Sequence, residues 1–478
     1  MATPGPVSHL MSCLKADAGA FLKEGHREVF VAAAPGRLDV MGGLTDYTGG
    51  LVCQMPLDVM TAVAVQRRDD RKLVVRNYNS DASPNAPLES TVSLSLDDFY
   101  GTASLLPNET LQNLFAGGRG WAAHIAGAFP ALARHKKITQ RTHGANIACY
   151  TNIPLRSSAA SSAALCCATL WAITAAYHLI LDPLEVALLA HRIETQTVGT
   201  LAGVVEPAVS MLGRKDQVLL MNCQPHELAG YEAVPAEYLI AGIQLGRKGF
   251  GESEEFTRLR VASFMAQAIL VKFHEEIGLK KDPTKGYLAN LPAELFGKYY
   301  RHILPETISG AVFLKGYGAI ADRLTEVDPG QNYMPRDAAM YHVGENARAR
   351  AFAARLHELH DLPAAGRAAG AAAAGQLLLE SHAACEAHAG LRVPESDVLI
   401  DLIQARGAAK GFYGARDAGT GGTVTVFADN TAGVREELQK IAAEYQQRTG
   451  LVPHLLLGSA AGAAEAAPQR VQVKDLAG

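Results

Sequence analysis

At 478 residues the chain is longer than one simple core requires, so two lobes are the default expectation. Its 44 basic and 48 acidic residues leave a net charge of -4, which gives no electrostatic reason to expect nucleic acid or an anionic membrane as partner. No stretch approaches the roughly 18 apolar residues of a membrane span, and the first thirty residues lack a basic start followed by an apolar run. The sequence therefore reads as soluble and cytoplasmic, and it carries no pattern that sets an oligomeric state. Cys13, Cys53, Cys149, Cys166, Cys167, Cys223 and Cys385 form no Cys-x-x-Cys pair and mostly sit among apolar neighbours. They read as buried free thiols rather than as a structural metal site.

In chain order, Val29 to Ala34 and Leu51 to Gln66 are rich in apolar and β-branched residues and predict two strands. Between them runs Ala34-Pro35-Gly36-Arg37-Leu38-Asp39-Val40-Met41-Gly42-Gly43-Leu44-Thr45-Asp46-Tyr47-Thr48-Gly49-Gly50, read as loop. It places Arg37 just after a Pro-Gly turn and Asp46 ahead of a second turn. A permanent cation and a hydrogen-bond acceptor thus leave neighbouring loops, as a small-molecule phosphotransferase needs. A third strand, Ala145 to Thr151, precedes Asn152-Ile153-Pro154, and the run from Ser157 to Ala164 then opens a helix. Ser157, Ser158, Ser161 and Ser162 therefore stand at a helix start, where backbone N–H groups and the helix dipole favour anions.

Asp182-Pro183 opens a further helix, Leu184 to Glu194, with aspartate as N-cap and proline in the first turn. Strands are expected at Val218 to Met221 and Leu239 to Leu245, with a polar loop from Arg247 to Glu255. A lobe boundary falls between residues 225 and 240, giving lobes of 1–230 and 231–478. Residues 362–380 mix alanine with Gly366, Gly370 and Gly375, which predicts a helix with a weak lead-in. Gly414 to Phe427 is a glycine-rich loop running into an alternating strand.

This order of arginine loop, serine-bearing helix start after a proline, and late glycine-rich loop resembles the GHMP small-molecule kinases, and within them the galactokinase branch. The run Arg37-Leu38-Asp39-Val40-Met41-Gly42-Gly43, with Gln54-Met55-Pro56, is most similar to the arabinokinase-like members. Trp121-Ala122-Ala123-His124-Ile125-Ala126-Gly127, Cys223-Gln224-Pro225 and His342-Val343-Gly344-Glu345-Asn346-Ala347-Arg348 extend the resemblance over residues 30–460. It implies a mixed α/β (α+β), two-lobed fold with the active site in the cleft between lobes. It also implies transfer of the ATP γ-phosphoryl group to the anomeric hydroxyl of a sugar.

On that resemblance, Arg37 lies beside the catalytic carboxylate and the transferring phosphate. That carboxylate is Glu206, in Gly203-Val204-Val205-Glu206-Pro207, where the family has an aspartate that orients or deprotonates the attacking hydroxyl. Asp46, with Asp39 and Tyr47, is implied to grip the sugar; Ser157, Ser158, Ser161, Ser162, Gly419 and Gly421 to hold ATP; Ser161 and Glu194 to hold Mg2+. Read without the resemblance, Arg37 could pair structurally with a carboxylate, Asp46 could build an Asx-turn, and Glu194 could be a solvated helix-end carboxylate.

The departures from the family pattern are concentrated. Pro154-Leu155-Arg156-Ser157-Ser158-Ala159-Ala160-Ser161-Ser162-Ala163-Ala164 replaces every glycine of the phosphate loop, and its side chains narrow the room for a triphosphate. Glu206 adds a methylene to the catalytic carboxylate, and the late loop Asp417-Ala418-Gly419-Thr420-Gly421-Gly422-Thr423 is short. Arg247-Lys248-Gly249-Phe250 stands where a basic, histidine-bearing loop is usual, and Phe256 replaces a tyrosine. Gly43-Leu44 stands where galactokinases carry Glu-His, so an acidic contact to a distal hydroxymethyl group is expected to be missing, which fits a pentose. Two readings follow: a sugar 1-kinase for L-arabinose or a galactose-like aldose, or a catalytically impaired member that binds a sugar or sugar phosphate as sensor or partner protein.

Overall fold

In the computed structural model the described residues are 5–22, 28–79, 90–102, 104–249, 253–279, 281–418 and 421–476. The larger of two main sheets is built on two long antiparallel strands, β1 (Glu28–Met41) and β2 (Leu51–Arg67). Around them lie β3 (Lys72–Asn77), β4 (Thr91–Ser95), β5 (Ala145–Thr151), β6 (Gln217–Asn222) and β7 (Glu227–Ala233). The second sheet contains β8 (Tyr238–Gln244), and a separate two-stranded antiparallel sheet is formed by the short strands β9 (Ile308–Ser309) and β10 (Asn332–Tyr333). β11 (Phe412–Asp417), β12 (Thr423–Asp429) and β13 (His454–Leu456) complete the second sheet in the order β11-β12-β8-β13. β14 (Gln469–Gln472) returns to the first sheet, whose order is β14-β1-β2-β5-β3-β4, with β6 on β2 and β7 on β6.

Helix Ser161–Ala176 packs across β1 and β2. Its residues are apolar nearly all round, as a helix buried on several faces requires. Helices Pro183–Arg192 and Val205–Leu212 pack against it, the second also touching β1 and β2. Asp182 is the N-cap expected from sequence, its side chain accepting from the Glu185 N–H at 2.9 Å. Two long helices, Glu254–Glu276 and Pro335–Asp361, pack on each other around a second apolar core. Among the described residues all seven cysteines are free and six are buried, and no helix is long and apolar enough to cross a membrane.

The structure corrects the reading of 34–50 as loop. β1 does not stop at Ala34 but runs through Pro35-Gly36 to Met41, with irregular register between Pro35 and Arg37 and between Asp39 and Met41. Bulges explain why: proline has no N–H for a regular ladder, and a bulge lets the strand continue while re-aiming its side chains. Arg37 is therefore a strand residue, and its N–H is held by the carbonyl of Ala159 at 3.0 Å. The alanine-glycine segment also exceeds its expectation, forming one helix, Ala364–Ala384. Gly375 gives that helix its close approach to β11, since a Cβ there would stand 2.2 Å from the Tyr413 carbonyl.

Candidate active site

A cavity of about 670 Å³ is walled by β1, by the turn that follows it, by the 156–160 loop, and by the starts of helices Ser161–Ala176 and Val205–Leu212. Its size is ordinary for a small-molecule site. Arg37 and Asp39 are two apart on β1 and so share one face of the strand. Leu38 and Val40, on the opposite face, are core residues. Alternation along one strand thus sends the charged pair to the cavity and the apolar pair to the interior.

Arg37 is buried, and its Nη2 donates to Glu206 Oε1 at 2.5 Å while Nη1 donates to the Ser158 carbonyl at 3.3 Å. Burial opposes the guanidinium charge, but Glu206, Asp39 and Asp46 together hold its pKa above the usual value. Glu206 lies in the first turn of helix Val205–Leu212, where a carboxylate complements the helix dipole. Pro207 occupies the third position of that helix, a place where its missing N–H leaves no intrahelical bond unmade. Glu206 Oε2 is buried without a hydrogen-bond partner among the described residues. A Cβ on Gly203 would stand 1.5 Å from Asp46 Oδ2 and 3.3 Å from Glu206 Oε2, so both carboxylates converge on this glycine.

Asp46 follows a short 3-10 turn, and its Oδ1 accepts from the Tyr47 N–H at 2.6 Å. Burial, reinforced by Glu206 and moderated by Arg260, lifts its pKa to about 7. Tyr47 stands behind it, its hydroxyl 3.0 Å from His342 Nε2 and its ring 4.7 Å beneath the Arg260 guanidinium. Arg260 is itself fixed by a bidentate pair with Asp322, at 2.6 and 3.0 Å.

At the opposite end, Arg156, Ser158 and Ala160 have φ of 57°, 64° and 59°. The three alternate residues thus hold the left-handed backbone that glycine adopts freely, although none is glycine. Ser161 and Ser162 begin the helix, and the Ser162 hydroxyl donates to Glu194 Oε1 at 2.6 Å. The hydroxyl that meets Glu194 is therefore that of Ser162, one residue beyond the Ser161 assigned from sequence. Ser161 also lines the cavity. Glu194 is buried, not a solvated helix end, and burial lifts its pKa to about 8. Its Oε2 has no partner among the described residues.

Ser157 turns inward, donating to the Pro154 carbonyl at 2.5 Å and accepting on its own carbonyl from the Thr423 hydroxyl at 2.6 Å. The late glycine loop is thereby docked on the 156–160 loop. Gly421 donates its N–H to Asp417 Oδ1 at 3.1 Å, and Ala418 lines the cavity. Gly419, assigned to ATP from sequence, and Phe250 lie outside the described residues. Two exposed cations, Arg156 and Lys248, flank the opening, and their loops are joined by the Gly249 N–H on the Arg156 carbonyl at 3.0 Å.

Of the twelve site residues named from sequence, the structure places nine on the cavity wall, namely Arg37, Asp39, Asp46, Ser157, Ser158, Ser161, Ser162, Glu194 and Glu206, while Tyr47 and Gly421 are not among the lining residues. Sequence reasoning missed Arg260, Asp322 and Arg416. Arg416 on β11 is buried between Asp39, 3.3 Å away, and Glu345, 3.9 Å away. An isolated arginine in a strand or an amphipathic helix carries no local pattern that marks it as buried. His342 and Glu345 had one signal, their place in the motif 342–348.

Residues 123–214 match the model of the GHMP kinases N terminal domain, and residues 20–67 match the galactokinase galactose-binding signature. The chain is 29% identical to the L-arabinokinase of Arabidopsis thaliana over 502 aligned residues, which cover 94% of this chain and 47% of that protein. It thus spans about half the length of the curated relative it matches. The crystal structure of Lactococcus lactis galactokinase complexed with galactose superposes with a TM-score of 0.68 at 19% identity, covering 95% of this chain and 98% of that one. Methanococcus jannaschii mevalonate kinase follows the same fold at a TM-score of 0.53 and 12% identity, over 91% and 99%. At these identities the likeness is one of fold, and the fold is the GHMP kinase one expected from sequence.

Proposed function

We propose, from a chain that carries a GHMP kinase N-terminal domain and a galactokinase galactose-binding signature, an ATP-dependent sugar kinase acting on the anomeric hydroxyl of L-arabinose or a galactose-like aldose. The observation that carries this reading is the Arg37–Glu206 pair, at 2.5 Å on the cavity wall, with Glu206 Oε2 left as a buried acceptor beside Asp46. Phosphoryl transfer asks a protein mainly for positioning and for neutralisation of spreading negative charge. Glu206 orients the attacking hydroxyl and takes its proton on Oε2. The sugar oxygen then bonds to the γ-phosphorus as the bond to the β–γ bridging oxygen breaks, and ADP carries away that electron pair. Arg37 places a fixed positive charge beside the transferring group, and Asp46 accepts from a second sugar hydroxyl.

The residues at the helix start fit a magnesium ion. Glu194 offers an unpartnered oxygen next to the Ser162 hydroxyl. Among the described residues no three His, Cys, Asp or Glu side chains gather in a metal-binding group, so further ligands would come from phosphate and water, as magnesium commonly uses. A bound magnesium ion would supply neutralisation of the phosphate charge. Supporting the active reading over the impaired one, Glu206 keeps its carboxylate on the cavity wall with Oε2 unpartnered among the described residues. The test is ADP release over a panel of pentoses and hexoses with millimolar Mg-ATP, with the product examined for phosphate on the anomeric oxygen. No release with any sugar sinks the proposal.

A further inference from the structure

The Gly43-Leu44 pair was expected to strip the sugar pocket of an acidic contact, but an acidic group occupies the space above Gly43. A Cβ at position 43 would stand 2.3 Å from Asp39 Oδ2, 2.6 Å from its Cγ and 2.8 Å from Oδ1. No residue with a side chain fits while Asp39 holds this position. Gly43 is not among the residues with positive φ, so the close approach, not the backbone conformation, demands glycine.

Asp39 is also held firmly. Its Oδ1 accepts from the Gly43 N–H at 3.1 Å and from Gln54 Nε2 at 2.7 Å, while Arg416 Nη1 stands 3.3 Å from Oδ2. The carbonyl of Asp39 accepts from the Thr425 hydroxyl at 2.7 Å, which fixes the backbone beneath it. Both Asp39 and Gly43 line the cavity, next to Arg37 and Asp46. A carboxylate oxygen accepts about two hydrogen bonds, and Oδ2, with the Arg416 guanidinium as its one ion-pair neighbour at 3.3 Å, keeps capacity for a donor from the cavity.

We infer that Asp39, admitted to the cavity wall by Gly43, selects the sugar by accepting a hydrogen bond from a ring hydroxyl away from the reacting carbon. The inference rests on the sugar-kinase reading and deepens it to a specificity-determining residue. A rigid buried acceptor rejects a sugar that cannot present a donor there, because the acceptor would be left unpaired. The acid is therefore relocated to the strand, not removed, and it reads a hydroxyl close to the wall.

The probes are L-arabinose and D-galactose, read both by sugar-induced rise in melting temperature and by KM for sugar and for ATP. Asp39→Asn keeps the shape and exchanges an acceptor for a donor. It is expected to weaken the preferred sugar at least about tenfold, to narrow the ratio between the two sugars, and to leave the KM for ATP within about twofold. Gly43→Ala is expected to do the same by displacing the carboxylate. Where Gly43→Ala fails to fold, Asp39→Asn decides alone. Unchanged sugar affinities and an unchanged ratio in a folded Asp39→Asn overturn the inference. If no sugar is phosphorylated by the unsubstituted protein, yet its sugar-induced stabilisation is lost in Asp39→Asn, the kinase reading falls and this one stands.

Discussion

The guanidinium of Arg37, on a bulged strand, meets the carboxylate of Glu206, 169 residues later at a helix start, at 2.5 Å. Arg37→Ala should lower kcat by on the order of 10²–10³, the scale on which a single preorganised charge acts in a transition state. Glu206→Gln should lose turnover to a similar degree while retaining sugar-induced stabilisation. Glu206→Asp tests the reach of the side chain: withdrawing the oxygens by about 1 Å should reduce kcat on the order of a hundredfold. Steady-state kinetics with the preferred sugar decide, and a Glu206→Asp variant as fast as the unsubstituted protein would remove reach from the explanation.

The 156–160 loop predicts an unusual gain from adding glycine. Arg156, Ser158 and Ala160 all lie at positive φ, a region that disfavours a Cβ by roughly 1–2 kcal/mol per residue. Glycine relieves that strain but adds conformational freedom to the unfolded chain, which takes back about 0.5–1 kcal/mol. Ala160→Gly, which loses only a methyl group, should therefore stabilise by about 0.5–1 kcal/mol in urea unfolding. Destabilisation would show that the methyl group packs better than its backbone conformation suggests.

Two buried carboxyls make the stability of the protein depend on pH. Burial raises the Glu194 carboxyl from its usual 4.5 to about 8. Between those values the folded state keeps a proton that the unfolded chain has released, so the contribution of Glu194 to stability falls as pH rises through this window and levels off above it. Asp46, lifted to about 7, acts with the same sign. Glu194→Gln cannot ionise, so its stability advantage over the unsubstituted protein should grow from pH 5 to pH 8.5 and reach at least ~1 kcal/mol. Melting curves across pH without ligand measure it, and a difference that does not vary with pH refutes the assignment.

Arg37, Asp46 and the serines stood out in short local patterns, a Pro-Gly before Arg37, a turn after Asp46 and a serine run after a proline, whereas Asp39, Glu194 and Glu206 were named only through the resemblance to the GHMP kinases. Element types were legible from local patterns too, as with Asp182-Pro183 at a helix start. What stayed hidden was set by contacts distant in sequence. Pro35-Gly36 reads locally as a turn, yet β2 pairs with both sides of it and carries the strand on through bulges. Gly43 reads as a lost side chain, and only the position of Asp39 shows that its space is filled. Arg416 and Arg260 belong to ion networks whose acids come from other elements, so no spacing along the chain reveals them.

The Arg260–Asp322 pair ties the stability of the fold to the charge state of Asp46. Its side chains are 6% and 5% exposed, and Asp322 also accepts from the Thr325 hydroxyl at 2.7 Å. Removing one partner leaves a buried charge without compensation, so Asp322→Ala should destabilise by about 3–5 kcal/mol. Replacing both, as Arg260→Met with Asp322→Leu, should recover at least half of that loss, because no uncompensated charge remains. The double variant nevertheless loses the cation that rests 4.7 Å from the Tyr47 ring and draws the Asp46 pKa down against burial and Glu206. Asp46 should then protonate at higher pH and accept less well from a sugar hydroxyl near neutrality. Stability and sugar affinity should therefore separate: urea unfolding near that of the unsubstituted protein, with a sugar KM raised at pH 7 and recovering toward pH 9. A double variant whose sugar KM shows the unsubstituted pH dependence would confine Arg260 to a structural role.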